Sequence, residues 1–318
     1  MPAPKLFTSA LFSAFVAMSA LPAMAADKIT IGAGARQGLY YPTGEALCGL
    51  FENGNKDVKC RVKASKGGAA NLRDINRGKI EFGMVPSDWA GWAYDGRFKF
   101  KASGGDKSLR SVVSLFDMPL TFLVAGESEV KQLSDLKGKR ISIAGITPEV
   151  FDEIRAVYGW EISDFPFIDI GRTRDRAGAL CKGELDAILF HVAHPTGLVQ
   201  KAVQTCKAKV LPLPSSIINR LTKSSKAFVK SSVPGGMYAG NGAPVQTIAT
   251  KVVILSRAAV AEDTVYAFVK STIENTKALR RLHPAHDRIR ERAMARDGLV
   301  APLHPGAARY YRERGWIR

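Results

Sequence analysis

The chain has 318 residues, and its 46 basic and 29 acidic side chains give a formal net charge of +17. This length suits one large domain or two lobes of ordinary size. The basic residues are scattered, without a run of five or an alternation with aromatic residues. That pattern excludes a nucleic-acid-stacking platform and favours a surface that attracts small anions.

Residues 1–25 have the features of a signal peptide. Lys5 precedes an uncharged apolar stretch, Leu6 to Leu21, and Ala23-Met24-Ala25 fits the small-x-small cleavage pattern. The apolar stretch is shorter than the roughly 20 residues that span a bilayer, although an uncleaved membrane anchor is the alternative. We therefore predict cleavage after Ala25 and a mature protein outside the cytoplasm; the family resemblance described below implies the periplasm.

The first half of the mature chain alternates strand and helix patterns. Strands are predicted at Lys28–Gly32, Val58–Ala64, Phe82–Val85, Leu109–Phe116 and Leu120–Ala125, with helices at Thr43–Asn53 and Leu72–Arg77. A glycine-rich segment, Gly34–Gly44, joins the first strand to the first helix. Because the first N–H groups of a helix lack intrahelical partners, such a junction attracts anions.

The strand–helix pattern starts again near residue 135, which predicts a second lobe. Its elements are strands at Arg140–Ala144, Phe167–Ile170, Ala187–Phe190 and Lys209–Leu213, and helices at Glu149–Tyr158, Arg174–Cys181, His194–Gln204 and Ile217–Leu221. A strand at Thr247–Ser256 and a helix at Asp263–Leu282 follow. The alternation predicts an α/β fold of two lobes, each a mainly parallel sheet flanked by helices, joined by two crossover strands. We assign residues 26–117 and 248–318 to lobe 1 and residues 118–247 to lobe 2.

Loops that follow strands are the expected binding positions, since ligands of α/β folds lie at the carboxyl ends of strands and in interlobe clefts. The predicted ligand-binding residues are Arg36, Gln37, Tyr40, Tyr41, Gly67, Gly68, Ala69, Asn71, Ser87, Asp88, Gly145, Ile146, Thr147, His191 and Tyr238.

Several of these residues have a structural alternative. Arg36 can pair with a carboxylate or remain a solvated loop charge. Asn71 can cap a helix that begins at Leu72, and Asp88 can cap the helix after it. Tyr41 can pack at the helix entry, and Tyr238 can belong to an ordinary loop.

The four cysteines favour disulfides in an oxidising compartment. We prefer Cys48–Cys60 and Cys181–Cys206, because each pair is close in sequence and lies in a different half; four free thiols are the alternative. The spacing fits no zinc site. His191 and His194 lack a third ligand, and Pro195 disfavours a helix there, so we predict neither a metal nor a cofactor.

Eight segments together resemble one family. They are Gly38–Gly44, Gly67–Leu72, Gly83–Asp88, Asp135–Ser142, Gly183–Ala187, Pro234–Tyr238, Val245–Ala249 and Ile273–Asn275. In this order they are similar to the TAXI-type solute-binding proteins of tripartite ATP-independent periplasmic (TRAP) transporters. The match covers most of the mature chain, and its most specific element is Gly38-Leu39-Tyr40-Tyr41-Pro42-Thr43-Gly44.

The resemblance implies a periplasmic-binding-protein fold of type II, whose lobes close around a small carboxylate such as glutamate or 2-oxoglutarate. It implies delivery to an integral-membrane TRAP permease, without catalysis. Its cleft positions fall on Tyr41, Gly67–Asn71, Ser87 and Asp88. We expect a monomer that binds no nucleic acid. The alternatives are an enzyme on the same scaffold and a basic adhesin or sensor partner.

Overall fold

The computed structural model describes residues 28–146, 148–171 and 175–318, so the predicted signal peptide and Thr147 lie outside the described residues. The strands are β1 (Lys28–Gly32), β2 (Lys59–Lys63), β3 (Phe82–Pro86), β4 (Leu109–Val124), β5 (Arg140–Gly145), β6 (Phe167–Asp169), β7 (Ala187–His191), β8 (Lys209–Leu211), β9 (Phe228–Val233) and β10 (Val245–Arg257).

The helices flank these strands. They are α1 (Tyr40–Gly54), α2 (Gly68–Asn76), α3 (Ser87–Asp95), α4 (Pro148–Tyr158), α5 (Arg176–Cys181), α6 (Gly197–Cys206), α7 (Ser215–Ser224), α8 (Glu262–Glu274), α9 (Thr276–Arg280), α10 (Glu291–Met294) and α11 (Pro305–Glu313). None of the helices in the described part of the chain is long and apolar enough to cross a membrane.

The strands pair in the order β2-β1-β3-β10-β4-β7-β5-β6. Pairing is parallel among β2, β1 and β3 in the first half, and among β6, β5 and β7 in the second. The central β4 and β10 are antiparallel to their neighbours, with β8 added to β4 and β9 to β10. The predicted α/β class with two sheet regions joined by crossing strands is confirmed.

Each crossing strand runs through both halves. The first part of β4 pairs with β10, whereas Leu120–Leu123 pair with β7. The sequence pattern predicts two strands, Leu109–Phe116 and Leu120–Ala125, and this break is wrong. Asp117, Met118 and Pro119 continue the ladder with β10, since these residues face Lys251, Thr250 and Ala249 in register.

Each half has its own apolar core. In the first, Phe82 of β3 stacks on Phe268 of α8 with ring centroids 4.2 Å apart. In the second, Phe122 of β4 packs among residues of β5, α4 and α7. The carboxyl-terminal helices therefore return to the first half, where α8 and α11 complete its core.

The disulfides are Cys48–Cys60 and Cys181–Cys206, the pairing that the sequence analysis prefers. The first joins α1 to β2, and the second joins the ends of α5 and α6. Each closes a short loop within one half, so neither limits movement of one half against the other.

A buried ion pair joins the crossing strands. Lys251 Nζ of β10 lies 2.7 Å from Asp117 Oδ1 of β4, and the Ser231 hydroxyl donates to Asp117 Oδ2 at 2.8 Å. The Lys251 side chain is 7% exposed and that of Asp117 is 17% exposed. Removing one partner of such a pair leaves the other charge buried without compensation.

We predict that Asp117→Ala lowers the free energy of unfolding by about 3 kcal/mol, because Lys251 then loses its counter-charge. Asp95→Ala is the control, since its pair with Lys107 is exposed and spans 3.5 Å, and we expect a change below about 1 kcal/mol. Urea unfolding of both variants measures the difference. Equal effects would show that the Asp117–Lys251 pair contributes no more than a surface contact.

Candidate functional site

Two cavities lie along the crossing strands and share Met118 of β4 in their walls. The Arg36 cavity has a volume of about 560 Å³. The Asp88 cavity has a volume of about 230 Å³. Each is lined by residues from both halves, and together they form the candidate cleft.

The Arg36 cavity lies between the loop before α1 and the segment before α6. Its lining residues are Arg36, Gln37, Gly38, Leu39, Tyr40 and Pro42 from the first half, Phe116 and Met118 from β4, Val192, Ala193, Pro195, Thr196 and Gly197 from the second half, and His283. Most of this wall is apolar, and Arg36 supplies a permanent positive charge.

Arg36 is held by its neighbour in the same loop. Its guanidinium donates to the Tyr41 hydroxyl at 2.8 Å and lies 4.9 Å from the Tyr41 ring centroid. Tyr41 is absent from the described walls of both cavities. Tyr40 is the lining tyrosine, and its hydroxyl donates to Met118 Sδ at 3.2 Å. The contacts therefore make Tyr41 a support for Arg36.

Two helices begin at the Arg36 cavity. Tyr40 starts α1 and Gly197 starts α6, and neither helix has a side-chain cap on its first N–H groups. A helix N-terminus carries a partial positive charge with N–H donors that point outward. The cavity thus combines a guanidinium with two helix starts from opposite halves.

Tyr238 holds the α6 side of the cavity from behind. Its hydroxyl accepts from the Thr196 backbone N–H at 2.9 Å and lies 2.7 Å from His194 Nδ1. The other His194 ring nitrogen lies 2.9 Å from the Thr121 hydroxyl, and burial lowers the pKa of His194 to about 4. Tyr238 is 2% exposed and lies in the second-half core rather than in the cavity wall.

The Asp88 cavity is smaller and lies between the starts of α3 and α4. Its lining residues are Pro86, Asp88, Trp89, Met118, Ala144, Ile146, Val150, His191 and Thr250. Ile146 follows β5 and His191 ends β7, so the carboxyl ends of second-half strands face the α3 start here. This arrangement is the one expected of an interlobe site.

Asp88 is a buried acid. Its Oδ1 accepts from the Trp89 backbone N–H at 2.9 Å. Burial nevertheless raises the pKa of Asp88 to about 7; the charge of Glu153 raises it further, whereas that of Lys99 lowers it.

His191 is a neutral ring in the same wall. Its Nδ1 lies 3.1 Å from the Thr250 hydroxyl, and its Nε2 is buried without a hydrogen-bond partner. Burial lowers the pKa of His191 to about 3, so the ring is uncharged at neutral pH.

Several other predicted residues have structural contacts instead. The Ser87 hydroxyl donates to the Ala227 carbonyl at 2.5 Å and accepts from the Lys251 backbone N–H at 3.0 Å. Asn71 is fully buried, and its amide donates to the carbonyls of Gly32, Ala33 and Met84. The alternative that Asn71 caps a helix from Leu72 is wrong, because α2 begins at Gly68.

The glycine loop before α2 lies beside β3. Gly67 has a φ of +84°, and a Cβ on Gly68 would lie 2.7 Å from Pro86 Cδ. Among the described residues, Gly67, Gly68 and Ala69 line neither cavity, and Gly145 ends β5 beside Phe190. The absence of a side chain at Gly68 lets the start of α2 lie close to Pro86 at the end of β3.

The structure thus brings six of the predicted residues to the cleft: Arg36, Gln37 and Tyr40 in one cavity, and Asp88, Ile146 and His191 in the other. Met118, Trp89, Thr250 and Thr196 also line the cleft, although the sequence pattern does not mark them as candidates. Trp89 directly follows the predicted site residue Asp88, and this adjacency could have identified it as a candidate. Met118 lies between the two predicted strands Leu109–Phe116 and Leu120–Ala125, where the sequence pattern wrongly predicts a break, so it is not recognised as a strand residue that faces the cleft.

Comparison with known proteins gives the same architecture. A model of the NMT1-like family matches residues 31–315. The alkanesulfonate-binding protein SsuA of Xanthomonas axonopodis pv. citri, bound to MOPS, is 17% identical with a TM-score of 0.51, over 91% of this chain and 84% of that one. SsuA of Methylobacillus flagellatus KT, described as the periplasmic sulfonate-binding protein of a putative sulfonate ABC transporter, is 15% identical with a TM-score of 0.52. The match covers 94% of this chain and 89% of that one. A TctC solute binding protein from Polaromonas is 15% identical with a TM-score of 0.55, over 89% of this chain and 98% of that one. These likenesses establish the fold.

We predict a pH-dependent difference in stability between Asp88→Asn and the unmutated protein. The free energy of unfolding of the variant minus that of the unmutated protein should increase by about 2–4 kcal/mol from pH 4 to pH 8. The folded-state pKa of Asp88, about 7, exceeds its ordinary value of 3.8. The folded protein therefore holds a proton that the unfolded chain releases, and this contribution to stability is lost as pH rises through 7. Asparagine does not titrate.

Urea unfolding at pH 4, 6 and 8 measures this difference. Asp95→Asn is the matched control, because Asp95 ends the same helix and is half exposed. A difference for Asp88→Asn that stays constant with pH would show that the Asp88 carboxyl titrates normally.

Proposed function

This chain belongs to the NMT1-like family, and from that premise we propose that it is a periplasmic receptor that captures a small organic anion in the cleft and delivers it to a membrane permease. One observation carries the proposal: Arg36 and the starts of α1 and α6 line a single cavity, with contributions from both halves.

The donors of this cavity suit a carboxylate or sulfonate. The planar guanidinium of Arg36 can bind two oxygens of one anion, and the start of α6 offers backbone N–H groups. The start of α1 contributes less, because Pro42 has no N–H and the Tyr41 N–H is bonded to the Gly38 carbonyl. The apolar wall, which includes Phe116 and Met118, suits the carbon skeleton of an organic ligand. The net charge of +17 would draw an anion toward the protein.

Ligand capture would work through closure of the two lobes. We place residues 28–117 and 248–318 in one lobe and 118–247 in the other, so the lobes would turn about β4 and β10. A ligand that touches both Arg36 and the α6 start makes more contacts in the closed form, and its binding therefore favours closure. A permease can then recognise the closed receptor.

The cleft favours binding over catalysis. Ser87 is the hydroxyl beside Asp88, and both of its hydrogen bonds go to backbone groups of Ala227 and Lys251. It is therefore not available as an activated nucleophile. The three structures compared above are named as binding proteins rather than enzymes, in agreement with the sequence-based prediction.

The segments that resemble TAXI proteins support a TRAP permease as the partner, and the predicted export signal and the two disulfides support a periplasmic location. One of the structural neighbours is named as part of an ABC transporter. Uptake into proteoliposomes that carry the candidate permease separates the two classes. We expect receptor-dependent uptake without ATP; a strict requirement for ATP would contradict the TRAP assignment.

We predict that Arg36→Gln weakens binding of the ligand anion by about tenfold or more, because a charge-assisted hydrogen bond contributes about 1.5–3 kcal/mol. Arg220→Gln is the matched control, since Arg220 is exposed on α7 in the second half. Thermal-shift screening of ligand-stripped protein with monocarboxylates, dicarboxylates, amino acids and sulfonates identifies the ligand, and calorimetry measures its affinity. No stabilisation by any of these anions would refute the proposed function.

A further inference from the structure

Two polar groups of the Asp88 cavity have no role in holding the anionic end of a ligand. They are the Asp88 carboxyl and the unpartnered Nε2 of His191. This cavity adjoins the Arg36 cavity at Met118, so a ligand anchored on Arg36 can extend into it. The polar groups of the Asp88 cavity would then determine which chemical group is accepted at the end of the ligand opposite its anion.

The cavity is a small apolar pocket. Trp89, Met118, Ile146 and Val150 line it, with Pro86 and Ala144. Its volume of about 230 Å³ equals that of roughly eight water molecules at about 30 Å³ each. It therefore has room for a short chain with one terminal polar group.

The charges around this pocket disfavour a second carboxylate. Among the described residues, no lysine or arginine lines this pocket, whereas Asp88 contributes a carboxyl group. The Glu153 charge acts on Asp88 as a second acid. The ammonium of Lys99 lies over the Trp89 ring, 2.7 Å from the ring centroid, and Lys99 is not one of the residues that line the pocket. A carboxylate here would lose its hydration in an apolar surrounding and would have to share a proton with Asp88 or meet its like charge, at high cost.

The hydrogen-bonding groups favour a neutral donor–acceptor. His191 Nδ1 is engaged by the Thr250 hydroxyl, which leaves Nε2 as donor or acceptor according to the tautomer. A hydroxyl or amide can pair with Nε2 in either tautomer. A hydroxyl that accepts from Nε2–H can also donate to the Asp88 carboxyl, and an amide NH2 can donate to both groups. A buried ring nitrogen without a partner costs free energy, which such a ligand group would recover.

We propose that the Asp88 cavity is the subsite for an uncharged hydroxyl or amide at the far end of the ligand. On this view, which rests on the proposed function, the receptor takes monoanions with an apolar body and a neutral polar end, and it discriminates against dicarboxylates. Asp88 and His191 are the specificity-determining residues.

The test uses C4 to C6 straight-chain acids that differ only at the far end. For the C5 set these are 5-hydroxypentanoate, the monoamide of glutarate, glutarate, 5-aminopentanoate and pentanoate. Calorimetry measures each dissociation constant for the unmutated protein, Asp88→Asn and Asp95→Asn. We expect the hydroxyl or amide compound of at least one length to bind about tenfold more tightly than its dicarboxylate. Asp88→Asn should narrow that ratio to about threefold, while Asp95→Asn leaves it unchanged.

The possible outcomes separate the two proposals. A dicarboxylate or an amino acid that binds best, or a ratio that Asp88→Asn does not change, overturns the subsite while the anion receptor stands. Absence of binding by every acid of the series and of the wider anion panel refutes the receptor and the subsite together. Unfolding of the ligand-free variants shows that each is folded when its affinities are measured.

Discussion

The backbone pairing of β4 with β10 holds the two halves of the molecule together, and the cleft lies along these two strands. Both strands continue from one sheet region into the other, so Met118 and Thr250, which pair across the ladder, belong to the cleft wall. The ion pair between Lys251 and Asp117 follows directly in the register. A charge pair that is buried on the joining strands favours one strand register over its alternatives, because a shift would leave both charges buried and unpaired.

The cleft is built by side chains that do not line it. Asn71 fixes the ends of β1 and β3 through their carbonyls, Tyr238 fixes the segment before α6, and Ser87 joins the α3 start to β10. The Tyr238 and Ser87 hydroxyls and the Asn71 amide nitrogen all bond within the protein. The polar groups that line the candidate cleft include Arg36, the helix starts, Asp88 and His191. Polar residues near strand ends here thus include structural supports as well as candidate ligand contacts.

Local patterns predict most elements, although they misplace some element ends. Alternating apolar residues predict β1 and β10, and sequence proximity favours the correct cysteine pairing. The helix expected over Asp263–Leu282 divides at Asn275, whose side chain donates to the Ser271 carbonyl and ends α8. In the candidate site, residues of the loop before α1 line the Arg36 cavity, with Tyr40 rather than Tyr41 in its wall. The helix entry geometry decides which of two adjacent tyrosines faces inward.

The sequence by itself determines the α/β class, the repeat of strand–helix units, the disulfide preference and the loops that approach the cleft, because each depends on residues close together in the chain. Tertiary structure decides which side chains of those loops meet. His191 and Asp88 line one cavity although about 100 residues separate them, and only the packing of β7, β10 and α3 brings them there. Burial also sets their charge states, since the pKa of each depends on how much water the surrounding elements exclude.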